Sequence, residues 1–301
     1  MTNITLKQLR YFDALARHKH FGRAAEVCSI SQPALSTQIK ELENELGAKL
    51  FERGPRQVNL TKLGDQFAPR ATDILSAVDE LGDLARAAHD RLVGTFRLGI
   101  IPTIAPYLLP SIVQQLSQLH HELDLHVREA MTGQLIQELS TGRIDAAIVA
   151  LPISEPSFTE VALFGEEFVL VRPLSDIEQP IPSADQLRHM RLLLLEEGHC
   201  FRDQAMSFCN MPTALSRDGL DASSLSTLVQ MVGSGIGVTL IPEMAIDIET
   251  RSAPVTINRF TAKKPSRTVG MIWRKSSPLT DRLYEISAAV KELRMAHDRT
   301  G

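Results

Sequence analysis

Phe21-Gly-Arg-Ala-Ala-Glu-Val-Cys28, Ser29-Ile30 and Ser31-Gln-Pro-Ala-Leu-Ser-Thr-Gln-Ile-Lys-Glu-Leu-Glu-Asn-Glu-Leu-Gly47 read as a short helix, a turn and a second helix. Small residues at Ala24 and Ala25 allow close packing of the first helix. Ser31 is a good N-cap, Pro33 is tolerated in the first turn, and Gly47 ends the second helix. Leu35, Ile39, Leu42 and Leu46 share one stripe of that helix, while Gln32, Ser36, Thr37 and Lys40 fall outside it, towards its N-terminal half. A helix-turn-helix presents its reader in this way, with the apolar face to the core and the polar N-terminal half to the major groove. Glu52-Arg-Gly-Pro-Arg-Gln-Val-Asn-Leu60 follows as a hairpin wing, with Arg53 and Arg56 placed to meet phosphate. A helical bundle that never touches DNA gives the same periodicity; the order of elements and their composition favour the reader.

The chain has 301 residues and 44% apolar side chains, which suits two or more soluble globular domains. Apolar runs such as Leu192–Leu195 fall far short of the roughly 18 residues of a membrane span. The N-terminus is polar and lacks an apolar signal core, so a cytoplasmic protein with no membrane partner is expected. Residues 1–60 carry nine Lys/Arg against six Asp/Glu, and the remainder 23 against 30. Positive charge at one end suits phosphate, and the acidic remainder suits a domain that stays off DNA.

After the wing, Phe67, Ala71, Ile74, Val78, Leu81, Ala85 and Ala88 advance in alternating steps of four and three. These are the a and d positions of a coiled coil, and they predict a linker helix pairing with a second copy. A helix laid on its own domain is the alternative, but such helices show a wider stripe. Dimerisation also supplies two readers for two DNA half-sites.

From about residue 92 strands and helices alternate. Strands are expected at Thr95–Ile101, Leu123–Val127 and Ile144–Ala150, with helices carrying Leu108 to Leu116 and Gln134–Ser140 between them. A second unit follows from about residue 164, with strands Glu167–Val171, Leu192–Leu195 and Val238–Ile241 and the helix Ser224–Val232. Thr268–Trp273 is one more strand, and Ser277-Pro278 starts a last helix with Leu283, Ile286, Val290 and Leu293 inward. The expected class is α/β, doubly wound, with a mostly parallel sheet.

The first sixty residues resemble the LysR-type transcriptional regulators through Leu6-Lys-Gln-Leu-Arg-Tyr-Phe12, Ala24-Ala25, Ser31-Gln-Pro-Ala-Leu-Ser36, Ile39-Lys-Glu-Leu-Glu43, Leu46-Gly47, Leu50-Phe-Glu-Arg53 and Leu60-Thr61. The resemblance implies a winged helix-turn-helix over residues 1–61, a dimerising linker helix over 62–90, and two periplasmic-binding-protein-like regulatory subdomains. The first would comprise residues 91–163 and 267–301, the chain crossing back to complete it, and the second residues 164–266.

Gly233-Ser-Gly-Ile-Gly237 follows a helix and precedes a strand, the reverse of a dinucleotide fingerprint, and reads as a helix end and tight turn. No phosphate loop, zinc spacing or other metal motif is present, and no cofactor is expected. The informative chemistry is Gly198-His-Cys-Phe-Arg-Asp-Gln-Ala-Met-Ser-Phe-Cys209, which holds two of the three cysteines. Cytoplasmic proteins rarely carry structural disulfides, so such a pair is either two inert buried thiols or a redox switch. Cys200 falls where a helix would begin, with His199 and Arg202 beside it, and positive surroundings favour the reactive thiolate. Cys28 lies in the first reader helix and is taken as core.

Gly198 to Cys209 is also similar to the redox segment of the OxyR branch of that family, the peroxide sensors. Leu98-Gly-Ile-Ile-Pro-Thr-Ile-Ala-Pro-Tyr-Leu-Leu-Pro110, Arg128-Glu-Ala-Met-Thr132 and Arg267-Thr-Val-Gly270 extend the likeness. The resemblance implies that Cys200 reacts with hydrogen peroxide and Cys209 resolves it to a disulfide, with Thr103, Thr132, His199 and Arg267 around the peroxide. It further implies double-stranded DNA with dyad symmetry and RNA polymerase as partners, and a dimer of dimers. A regulator gated by a small organic effector between the subdomains, with silent cysteines, is the alternative; a thiol peroxidase needs neither the reader nor the seam.

Overall fold

The computed structural model describes residues 3–54, 58–87, 93–211, 221–261 and 264–300, and divides into two units, Met1–Ala85 and Arg86–Gly301. In the first, α1 (Leu6–His18) starts at a capping box: the Thr5 hydroxyl accepts from Gln8 N–H and the Gln8 side chain accepts from Thr5 N–H. The N-cap of α2 (Phe21–Val27) is His20, whose Nδ1 accepts from Gly22 and Arg23 N–H. Ser29, at φ 53°, turns the chain into α3 (Gln32–Leu46), which Ser31 caps through Ala34 N–H and Gly47 ends at φ 66°. Phe12, Leu15, Ala24, Leu35, Ile39, Leu42 and Leu50 fill the core between these helices, and Leu46 is half-buried at its edge.

The wing pairs β1 (Phe51–Arg53) antiparallel with β2 (Val58–Leu60). Buried Glu43 fastens its base by accepting from Leu50 N–H at 3.0 Å, Phe51 N–H at 3.2 Å and Lys49 Nζ at 2.6 Å. Burial alone would raise the Glu43 pKa, but the Lys49 bond and the two amides outweigh it and hold the pKa below the ordinary value. The linker helix α4 (Lys62–Ala87) starts against this base; a Cβ on Gly64 would lie 2.2 Å from the Leu50 carbonyl oxygen, so only glycine fits. Two seam positions, Phe67 and Ala71, pack on this core. Ala71 is 1% exposed, and Phe67 stands edge-on to Phe12 with centroids 4.9 Å apart. The apolar stripe of a helix leaving a globular domain is first consumed by that domain.

The second unit begins with β3 (Gly94–Ile100), α5 (Ala105–Leu119), β4 (Leu123–Glu129), α6 (Thr132–Ser140) and β5 (Ala146–Leu151). These crossovers make β4, β3 and β5 parallel, as helical connections do. A single strand, β6 (Phe158–Pro173), then runs on into α7 (Ala184–Leu187), α8 (Cys200–Phe208), α9 (Leu225–Gly233), β7 (Thr239–Pro242), α10 (Ile246–Glu249) and β8 (Val255–Asn258). The chain returns as β9 (Ser266–Arg274) and ends in α11 (Thr280–Thr300). The sheet order is β4-β3-β5-β9-β6-β7, with β8 also on β6. Every pairing made by β6 or β9 is antiparallel, so the sheet is mixed rather than mostly parallel. The returning strand slots between β5 and β6 and runs against both.

Glu167–Val171 is therefore no separate strand but the far part of β6, and Leu192–Leu195 forms only isolated bridges to Val238 and Ala222. Two hydrophobic cores result. One joins β3, β5 and α5 to Val269–Trp273, Leu283, Ile286 and Val290 from the chain's return. The other gathers Phe168–Val171, Leu193–Leu195, α8 and α9. Gly233 ends α9 and Gly235 turns at φ 78° before β7, which accounts for the glycine cluster without a nucleotide.

Candidate functional site

On α3, Ser31, Gln32, Pro33, Thr37 and Lys40 are exposed and Ser36 is half-buried, opposite the Leu35–Ile39–Leu42 stripe. The Thr37 hydroxyl donates to the Pro33 carbonyl oxygen at 3.1 Å. Arg53 ends β1, and Arg56 lies outside the described residues. Along α4 the apolar surface beyond the reader core consists of Ile74, 48% exposed, and Leu81, 66% exposed, with half-buried Val78 between them. Ala85 is in the last turn of α4, and Ala88 is outside the described residues. Leu84, 56% exposed, extends this face, although a strict seam of fours and threes passes it over.

The thiol site is built by a glycine turn. Gly198 has φ 97°, and a Cβ there would lie 2.7 Å from Met131 Sδ. The turn that leads into His199 and Cys200 thus lies against Met131, the N-cap of α6, whose first helical residue is Thr132. Cys200 opens α8; it is half-buried and packs on the first core. Phe201, Ala205, Met206 and Phe208, with Cys209 at the helix end, belong to the second core. Phe201 packs edge-on to Phe168 and Phe208 edge-on to Phe260. All three thiols are free, and burial pushes the Cys209 pKa up to about 11.

Two side chains expected to lend Cys200 positive charge do not. Burial lowers the His199 pKa, against a smaller opposing effect of Glu196, so the imidazole is neutral at neutral pH. Arg202 turns inward, donating to the Leu195 carbonyl oxygen at 2.6 Å and pairing with Asp221 at 2.9 Å. Cys200 itself stands at the first residue of α8.

Arg267 donates from Nη1 to the Thr103 hydroxyl oxygen at 2.8 Å and from Nη2 to the Thr103 carbonyl oxygen at 2.9 Å. Because arginine only donates, the Thr103 hydroxyl accepts, and its own hydrogen is free for another acceptor. Among the described residues, Thr132 Oγ1 and His199 Nε2 are buried without a partner, a costly state for polar atoms unless something else completes them. The structure therefore brings Thr103 to Arg267, and places Thr132 and His199 on the two sides of the Met131–Gly198 contact. One further residue, Glu166, was not legible from any motif: its Oε2 accepts from Arg267 Nε at 2.7 Å, and both side chains are wholly buried. The signal available was an acidic pair, Glu166-Glu167, directly before the apolar run Phe168–Val171.

Residues 6–65 match the family described as "Bacterial regulatory helix-turn-helix protein, lysR family", and residues 89–294 match "LysR substrate binding domain". The chain belongs to the LysR family; it is a DNA-binding transcriptional regulator and not an enzyme. Within that family it is similar to the DNA-binding transcriptional dual regulator OxyR of Escherichia coli K12, at 39% identity over 96% of this chain and 95% of that protein. It is also 41% identical to a probable hydrogen peroxide-inducible genes activator of Streptomyces viridosporus, over 96% of this chain and 94% of that one. Among solved structures, a full-length OxyR variant of Pseudomonas aeruginosa shares 37% identity and a TM-score of 0.75, covering 97% of this chain and 96% of its own. A hydrogen-peroxide-bound OxyR mutant of Corynebacterium glutamicum gives 34% identity and a TM-score of 0.66, with 97% and 93% coverage.

Proposed function

We propose that this regulator senses hydrogen peroxide through a reversible Cys200–Cys209 disulfide and thereby changes its hold on DNA. One observation carries the reading: α8 bears an accessible thiol at its first residue and a sealed one just past its last, each in a different core. Nine residues of helix rise roughly 13 Å, whereas a disulfide needs Cα atoms within about 7 Å. Bond formation must unwind α8 and release Phe201, Met206 and Phe208.

The chemistry runs in two steps. The Cys200 thiolate attacks one peroxide oxygen; the S–O bond forms, the O–O bond breaks, and the departing hydroxide takes a proton to leave as water. Thr103, Thr132, His199 and Arg267 surround the peroxide, with the free Thr103 hydrogen and Arg267 N–H groups stabilising the leaving oxygen. The Cys209 sulfur then attacks the sulfenic sulfur, the S–S bond forms, and the second oxygen leaves as water. Two thiols and one peroxide give one disulfide and two waters, and a dithiol reverses the change.

The reader spans residues 1–61, the linker 62–90, and the regulatory subdomains 91–163 with 267–301 and 164–266. Ser31, Lys40, Arg53 and Arg56 meet phosphate while Gln32, Ser36 and Thr37 meet base edges, with Pro33 setting the helix start. Ile74, Val78 and Leu81 pair two linkers, the regulatory domains pair dimers into a tetramer on dyad-symmetric DNA, and RNA polymerase is the downstream partner. The protein acts in the cytoplasm. The test is thiol mass spectrometry with mobility shift after stoichiometric peroxide. Cys200→Ser should abolish both peroxide consumption and the DNA response, and Cys209→Ser should stop at sulfenic acid. Wild-type protein that keeps both thiols free while its DNA footprint follows a metabolite would overturn the reading.

A further inference from the structure

Arg267 and Glu166 face each other as register partners on β9 and β6. Each oxygen of the Glu166 carboxylate is used: Oε2 accepts from Arg267 Nε at 2.7 Å, and Oε1 accepts from Met244 N–H at 3.1 Å. The guanidinium stands with Phe168 and Phe201 5.9 and 5.7 Å from its central carbon, and its Nη atoms hold Thr103 from both hydroxyl and carbonyl. Fully buried, the pair gains only if every donor and acceptor is met in good geometry. Glu166 thus fixes one edge of the guanidinium, and with it the direction in which the other edge and the Thr103 hydroxyl point.

We infer that Glu166 is a positioning residue for peroxide reduction at Cys200, acting through Arg267 to hold the leaving-oxygen donors in place. The inference rests on the peroxide reading above. Glu166 touches neither peroxide nor thiol in this role, so its effect falls on one reaction of Cys200 and spares another. Reduction of peroxide needs donors aimed at the leaving oxygen, whereas alkylation by iodoacetamide needs only thiolate and access. An amide in place of the carboxylate has a single acceptor oxygen for two donors, so either Arg267 Nε or Met244 N–H faces an NH2 group.

The experiment uses the full chain and compares two rates at Cys200 at one pH, sulfenic-acid formation by hydrogen peroxide and alkylation by iodoacetamide. Glu166→Gln is expected to slow the peroxide reaction at least about tenfold, from misaimed donors, with alkylation changed by less than about twofold. Glu166→Asp keeps the charge but shortens the reach; it should lose less in the same direction, and it serves where the amide variant folds poorly. In an Arg267→Lys background, Glu166→Gln should add no further loss of its own. Equal falls in both rates, or an unchanged peroxide rate in Glu166→Gln and Glu166→Asp, overturn the inference. Wild-type protein that alkylates at Cys200 yet forms no sulfenic acid overturns the peroxide reading instead.

Discussion

Phe208→Ala measures the work that disulfide formation must do against the fold. Phe208 is the last helical residue before Cys209; it is 7% exposed and packs edge-on to Phe260 with centroids 5.0 Å apart. If α8 unwinds when the thiols join, this ring leaves its place, and the reduced state alone holds the contact. Truncating a buried phenylalanine costs about 3–5 kcal/mol through lost transfer energy and the cavity left behind. Taking about 3 kcal/mol, and 30 mV per 1.4 kcal/mol for a two-electron couple, the midpoint potential should fall by up to about 65 mV. The sign is fixed: destabilising only the reduced state makes the disulfide harder to reduce. Equilibration in glutathione buffers, followed by acid quenching, thiol trapping and mass spectrometry, reads the midpoint. A potential unchanged within about 10 mV (roughly 0.5 kcal/mol) in folded variant protein would mean that Phe208 keeps its pocket in both states, and the unwinding argument would fail.

Two further outcomes separate the roles of neighbouring residues in the first unit. Leu81→Asp should leave the reader folded but halve the sedimenting mass, because Leu81 is exposed within the protomer, whereas Ala71→Asp should unfold the reader by burying an unpaired charge; equal mass for Leu81→Asp and wild type would count against the seam. At neutral pH, Glu43→Gln should speed amide exchange at Leu50 and Phe51 by about tenfold or more, for a loss of roughly 1–3 kcal/mol. Since the Glu43 pKa is lowered in the fold, its contribution is present above the ordinary carboxylate value and is lost as pH falls through the folded value, so the two proteins should converge in acid. Persistent divergence there would assign the effect to shape rather than charge.

What the sequence made legible was local. Ser31, Gly47 and the Leu35–Ile39–Leu42 stripe declare α3 because caps and periodicity act within a few residues. The helix start at Cys200 was legible for the same reason, through Gly198. Long-range partners were not. Adjacency in sequence offers the positive charge of Arg202 to Cys200, but Asp221 and the Leu195 carbonyl claim it, and neither neighbour is implied by spacing. Glu166 meets Arg267 only because β9 returns beside β6, a pairing 101 residues apart in the chain. The continuity of β6 was hidden by Gly165, Glu166 and Glu167, which interrupt its apolar pattern yet sit comfortably within the strand. Phe67 and Ala71 pack on the reader core, and a heptad spacing cannot say which surface reaches such positions first.

The return of β9 into the middle of the sheet also sets an order of events during synthesis. The reader and its linker draw their core from residues 9–71 and can fold as soon as they clear the ribosome. The first regulatory core cannot close until Val269–Trp273 and the helix bearing Val290 have been made, roughly two hundred residues later. At about 5–20 residues per second this delay is roughly 10–40 s. For that interval each nascent chain carries a finished DNA reader and an exposed Ile74–Leu81 face with no working sensor attached. Neighbouring ribosomes on one message hold such faces close together, so linkers that pair as proposed would meet as sister chains at birth before they meet as mature molecules.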